Sequence, residues 1–268
     1  MLRWFSRRPY DFPKGGAFLK VIAGLEDECS SLSRRELARA GRQVPRCLDA
    51  LGDMLSLSYQ AASCHWGCRG PDHAVNHLAV KAATSASASL RCLLAGYYDE
   101  SLALTRTVGE VANLLLLFVN SPESFEEWRR CSPQARRREF SPYRVRERLE
   151  GIGHASPIQA ARYSALSERG VHVSPDTVPQ AHNPAGRAVL GHIFQLPGAI
   201  AALTELAIAL GVAAHLGAQM LQVPPEVRRQ FDDGMRVLVD ALPAIDILNV
   251  NELLTRLGGE QDQTTRPG

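Results

Sequence analysis

Apolar side chains recur every three to four positions along most of this chain, and runs of alternating β-branched residues are nearly absent. The spacing predicts a helix over residues 17–31, and Ser33 with Glu36, at capping-box distance, predicts a second start. A further helix over 45–63 carries Leu48, Leu51, Leu55 and Tyr59 at helical spacing. Gly67, Gly70 and Pro71 make 64–72 a connection. Residues 73–95 read as one helix, with Val75, Leu78, Ala82, Ser89 and Leu93 along one face. The small residues from Thr84 to Ser89 would let a neighbouring backbone come close. A short turn at Gly96 leads into a helix from Tyr98 to Asn120, and so short a turn makes the two antiparallel neighbours.

Punctuation by Ser-Pro organises the second half. Ser121-Pro122, Ser141-Pro142 and Ser156-Pro157 each predict a helix start, and Gly170 predicts the C-cap of the helix from Pro157. Three prolines in 171–186 predict a long ordered loop. An Ala- and Leu-rich helix follows from Leu196; Pro224-Pro225 stops it and opens the next, through Leu242. Pro243 is expected to open or kink a last helix ending near Leu257. The expected fold class is therefore all-α: an antiparallel multi-helix bundle with a central long αα-hairpin. An irregular arm (1–16) precedes a single bundle domain (17–257), and a polar disordered tail (258–268) follows.

Composition narrows the function classes only a little. With 45% hydrophobic and 22% charged residues, a full core can form without disulfides or metals. A net charge of +2 demands neither nucleic acid nor an anionic membrane. Cys29, Cys47, Cys64, Cys68, Cys92 and Cys131 are scattered and no signal peptide precedes them, so free thiols in a cytoplasm are expected. The segment 196–223 is long enough to cross a bilayer, but it carries Glu205, His215 and Gln219. A core helix explains it better, so no membrane association is expected; a membrane-associated helical protein that uses this segment is the third reading, after the two given by resemblance below.

Four constellations carry candidate chemistry. Arg106, Glu110 and Asn113 stand at i, i+4 and i+7 on an otherwise apolar helix. They form either a solvated edge or a polar pocket in which Arg106 binds an anionic group and Glu110 orients it. Tyr163, Ser167 and His172 lie at a helix end, where the dipole favours a protonated imidazole or where His172 serves the last carbonyls. Cys64, Cys68, His73 and His77 offer a ligand set acceptable to zinc, although the Cys spacing is wide for a zinc knuckle; free thiols and surface imidazoles are the alternative. Arg129, Arg130, Arg136, Arg137, Arg138, Arg144, Arg146 and Arg148 could present an RNA-binding face, but Glu126, Glu127, Glu139, Glu147 and Glu150 interleave with them. No P-loop, dinucleotide-binding glycine fingerprint, His-Glu-x-x-His or nucleophile elbow is present, and no cofactor is expected.

The stretch from Leu90 to Phe118, with its Gly96-Tyr97 turn and later Arg106 and Glu110, resembles a family of uncharacterised bacterial all-helical domains. In that family a Tyr-x-x-Leu-Ser segment precedes a His, positions that fall here on Tyr163, Leu166, Ser167 and His172. More distantly the chain is similar to the HEPN superfamily, helical bundles that often act as dimeric, metal-independent ribonucleases. Their Arg-and-His motif has its spacing in Arg187 with His192 and in Arg148 with His154, though the residue after each Arg is apolar. The first resemblance implies an interaction or ligand-sensing module of a stress or phage-defence system, with a protein partner or a second copy of the chain. The second implies a ribonuclease in which His192 moves the 2′-hydroxyl proton and Arg187 stabilises the phosphate.

Overall fold

The computed structural model describes residues 13–67 and 73–246. Among these residues there are ten helices and no strand, in accord with the all-α bundle expected. The helices are α1 (Gly16–Arg39), α2 (Gln43–Ala62), α3 (Ala74–Leu94), α4 (Tyr98–Asn120), α5 (Pro122–Arg130), α6 (Pro133–Glu139), α7 (Pro142–Gly151), α8 (Ala160–Gly170), α9 (Leu196–Leu221) and α10 (Pro225–Asp246).

The hairpin of α3 and α4 turns at Gly96, whose φ of +82° a residue with a side chain adopts only under strain. Its two helices are joined by a buried hydroxyl knot. Ser89 Oγ lies 2.8 Å from Ser101 Oγ and 2.9 Å from Thr105 Oγ1. The predicted face of Val75, Leu78, Ala82, Ser89 and Leu93 is buried throughout. Alongside both hairpin helices runs α9, which α2 and α10 also touch. That position explains why α9 is apolar over most of its surface: Glu205, His215 and Gln219 fall on its one half-buried stripe, and the rest faces neighbouring helices. Both α4 and α9 are long and apolar enough to cross a membrane, and more than half of each lies inside the bundle.

Three boundaries differ from expectation. No second start occurs at Ser33, because α1 is continuous. The Ser33 side chain is buried 4.0 Å from Cys29 Sγ, and Glu36 pairs with Arg39 instead of folding back on a cap. The helix expected from Pro157 begins only at Ala160, because Asn113 takes both the N–H and the C=O of Ile158. Pro243 starts no new helix, since α10 runs through it to Asp246. Most of the N-terminal arm, the end of the last predicted helix near Leu257 and the tail lie outside the described residues.

The short helices α5, α7 and α8 pack on α4, and α6 packs on α7. The serine caps explain the starts of α5 and α6. Ser121 Oγ accepts from Ser124 N–H and Ser132 Oγ from Ala135 N–H, each at 3.2 Å.

Candidate functional site

The polar stripe of α4 faces α8. Gly109 lies in the middle of it, and a Cβ there would stand 2.7 Å from Ile158 Cγ1. Further along the same contact, a Cβ at Gly170 would stand 2.6 Å from Ala103 N. The missing side chain at Gly109 makes room for that of Ile158, and at Gly170 the backbones of α8 and α4 approach closely, which brings the polar groups of the two helices into reach.

Arg106, Glu110 and Tyr163 meet there. Arg106 Nη2 donates to Tyr163 Oη and stands 3.2 Å from Glu110 Oε1. Tyr163 Oη donates to the same Glu110 oxygen at 3.0 Å. Burial pushes the Tyr163 phenol above its ordinary pKa; the Arg106 guanidinium opposes this and the Glu110 carboxylate adds to it. The phenol therefore stays protonated and acts as a donor. Arg146, from α7, completes the group: its guanidinium carbon lies 4.9 Å from the Tyr163 ring centre, and that of Arg106 lies at 4.5 Å. Two cations thus flank one ring, and one carboxylate is bonded within the cluster. Arg106 Nε and Arg146 Nη1 are buried with no hydrogen-bond partner among the described residues. Glu110 is about one-third exposed (33%) and Arg106 about one-quarter (24%), so solvent reaches the cluster.

The other residues of the two sequence stretches have different positions. Asn113 is buried and clamps Ile158, donating to its C=O at 3.1 Å and accepting its N–H at 3.0 Å. Ser167 Oγ donates to Tyr163 O at 2.7 Å, one turn back in α8. His172 is exposed beyond the end of α8, with its N–H bonded to Ser167 O.

Arg187 and His192 lie on the loop between α8 and α9. Arg187 is exposed, and its main chain is held on both sides by the Asn183 amide. His192 turns toward the hairpin, with Nε2 at 3.2 Å from Tyr97 Oη, which itself donates to Glu26 at 3.0 Å. Cys64 Sγ and His73 Nδ1 are 3.6 Å apart, and the His77 ring stands 6.3 Å from that of His73. Cys68 lies outside the described residues, among which no group of three or more His, Cys, Asp or Glu could share a metal ion. In the arginine-rich segment, Arg129 and Arg130 pair with Glu126, Arg138 with Glu139, Arg144 with Glu147 and Arg148 with Glu127. Arg136 donates to the carbonyls of Trp128, Arg129 and Cys131 at the end of α5. Five of the eight arginines are therefore ion-paired, to four carboxylates of the same segment.

Sequence reasoning missed Arg146 as a member of the cluster, having counted it among surface arginines; nothing local marks it as facing Tyr163. It also missed the clasp around Tyr98 and Asp99. Gln180 Oε1 accepts both of their N–H groups, His182 Nε2 meets Asp99 Oδ1 at 2.9 Å, and Gln195 Nε2 donates to Gln180 O at 2.9 Å. A comparison of the chain with protein-family models, with curated proteins and with solved structures finds no match to any of them.

Proposed function

We propose that the protein is a ligand-sensing module that receives an anionic group at the Arg106, Tyr163 and Arg146 cluster. One observation carries the reading. Two guanidiniums share a ring, and among the described residues Glu110 is the one carboxylate bonded in the cluster and each guanidinium keeps a buried N–H group without a partner. A buried donor left unmade costs roughly 1–3 kcal/mol, so an acceptor that completes the set gains that back. The cluster joins α4, α7 and α8, so an anion bound there changes how the short-helix layer sits on the bundle. The packing of α4 and α9 within the bundle supports a protein that works in water rather than across a bilayer.

The test is titration of the purified chain with inorganic phosphate, sulfate and acetate at constant ionic strength, followed by calorimetry. One saturable site is expected, lost in Arg146→Gln and kept in Arg137→Gln, which alters an exposed arginine. The absence of saturable binding by all three anions would sink the reading. Incubation with mixed RNA and EDTA separates it from a ribonuclease, which alone would release cyclic-phosphate ends.

A further inference from the structure

Glu110 is bonded to Arg106 and Tyr163 as an acidic ligand would be. Its Oε1 accepts from Tyr163 Oη and contacts Arg106 Nη2. It does this incompletely. With Glu110 in place, Arg106 Nε and Arg146 Nη1 still lack an acceptor among the described residues, and two guanidinium charges face one carboxylate within the cluster.

The shortfall describes what would fit better. A planar carboxylate brings one charge and two oxygens. A phosphoryl group brings up to two charges and three terminal oxygens arranged as a pyramid. Those oxygens can take the place of Glu110 at Arg106 Nη2 and the Tyr163 hydroxyl and still offer acceptors to the unpartnered guanidinium donors. Resting on the anion-binding reading, we infer that the recognised part of the ligand is a dianionic phosphoryl group, and that it binds by displacing the Glu110 carboxylate from Arg106 and Tyr163. Glu110 is one-third exposed, so it swings into water at little cost.

Displacement has a structural consequence. The Tyr163–Glu110 bond ties α8 to α4, and α8 leads directly into the 171–195 loop that clasps the start of α4. Binding moves Tyr163 from a partner on α4 to a partner in the ligand. Arg146 of α7, already against the Tyr163 ring, is drawn onto the same group, so the ligand bonds side chains of all three helices at once.

The experiment compares wild type with Glu110→Gln at about pH 8, where inorganic phosphate is the dianion. Phosphate and acetate are titrated separately by calorimetry at fixed ionic strength. Removing the competing carboxylate is expected to tighten phosphate binding roughly five- to tenfold. Acetate is expected to bind both proteins at least tenfold more weakly than phosphate does. Phosphate binding to wild type without tightening in Glu110→Gln overturns displacement and leaves the anion site standing. Acetate binding as tightly as phosphate overturns the phosphoryl class. No binding of either anion to either protein overturns the underlying reading itself. Should Glu110→Gln fail to fold, Glu110→Asp, whose shorter side chain withdraws from Arg106, carries the same expectation.

Discussion

Gln180 caps α4 from 82 positions away in the chain: its Oε1 accepts from Tyr98 N–H at 2.7 Å and from Asp99 N–H at 3.3 Å. A helix start leaves its first N–H groups without partners, and Tyr97, at the N-cap, offers no side-chain acceptor. The bond is returned, because Asp99 Oδ2 accepts from Gln180 N–H at 2.7 Å. Gln180 is buried, so water does not replace it cheaply. Gln180→Ala is expected to cost about 2–4 kcal/mol, from a lost cap plus unsatisfied buried N–H groups. Thermal melting reads the loss, and limited proteolysis should show new cleavage within residues 171–195. An unchanged melting temperature with an uncut loop would mean that the clasp contributes nothing.

Two glycine-to-alanine changes should move stability in opposite directions. A Cβ at Gly170 would meet Ala103 N at 2.6 Å and Asp99 O at 2.7 Å, both backbone atoms that do not yield. Gly170→Ala is therefore expected to push α8 off α4 and cost about 1–3 kcal/mol. Gly52 lies inside α2, exposed, with nothing within 4 Å of such a Cβ. Gly52→Ala should stabilise by about 0.5–1 kcal/mol, through helix propensity and a less disordered unfolded chain. Denaturant titration of the two variants checks the opposite signs. A stabilised Gly170→Ala would deny the close approach of α4 and α8.

Local patterning made the helices legible because each signal lies within one or two turns. Ser121-Pro122 starts α5 as read, and the apolar face of α3 is buried as read. Gly170 shows how far a local signal reaches. The helix ends there as read, with Val171 as the C-cap, but the small size of Gly170 also serves the contact with Ala103, on a helix whose position the local sequence does not state. The candidate site was half legible for the same reason. Arg106 and Glu110 share a helix face by arithmetic alone, and Tyr163 belonged to a neighbouring pattern that the fold brings to them. Arg146 and Gln180 were not legible, because their partners are set by packing between segments and not by spacing within one.

Asn113 tests whether the α4 stripe also has a structural member. Its amide gives and takes one hydrogen bond each with the Ile158 main chain, which fixes the segment entering α8. Asn113→Ala leaves a buried N–H and a buried C=O without partners and is expected to cost about 2–4 kcal/mol. Asn113→Asp keeps the acceptor but loses the donor and buries a charge, so it should destabilise at least as much at neutral pH. Anion affinity per folded molecule should change little in Asn113→Ala, in contrast to Arg146→Gln. A large loss of affinity with unchanged stability would instead make Asn113 part of the binding site.

Alkaline pH should loosen the core between α2 and its neighbours. Burial pushes the Cys47 thiol up to about 12 from an ordinary 9.0, because the fold excludes the thiolate. The unfolded chain releases that proton near 9, so the contribution is fully present below pH 9 and is lost as pH rises toward 12. Tyr97 and Tyr98 act in the same sense from an ordinary 10.0, both chiefly through burial and Tyr97 also through its bond to Glu26. Melting temperature is thus expected to fall steeply above about pH 9. Cys47→Ala should be less stable than wild type at neutral pH, since it leaves a small void, but the gap between them should narrow as pH climbs through that window. A thiol reagent at about pH 8 should leave Cys47 unmodified until the chain unfolds. Rapid modification in the native state, or a gap that widens with pH, would place this thiol in contact with water.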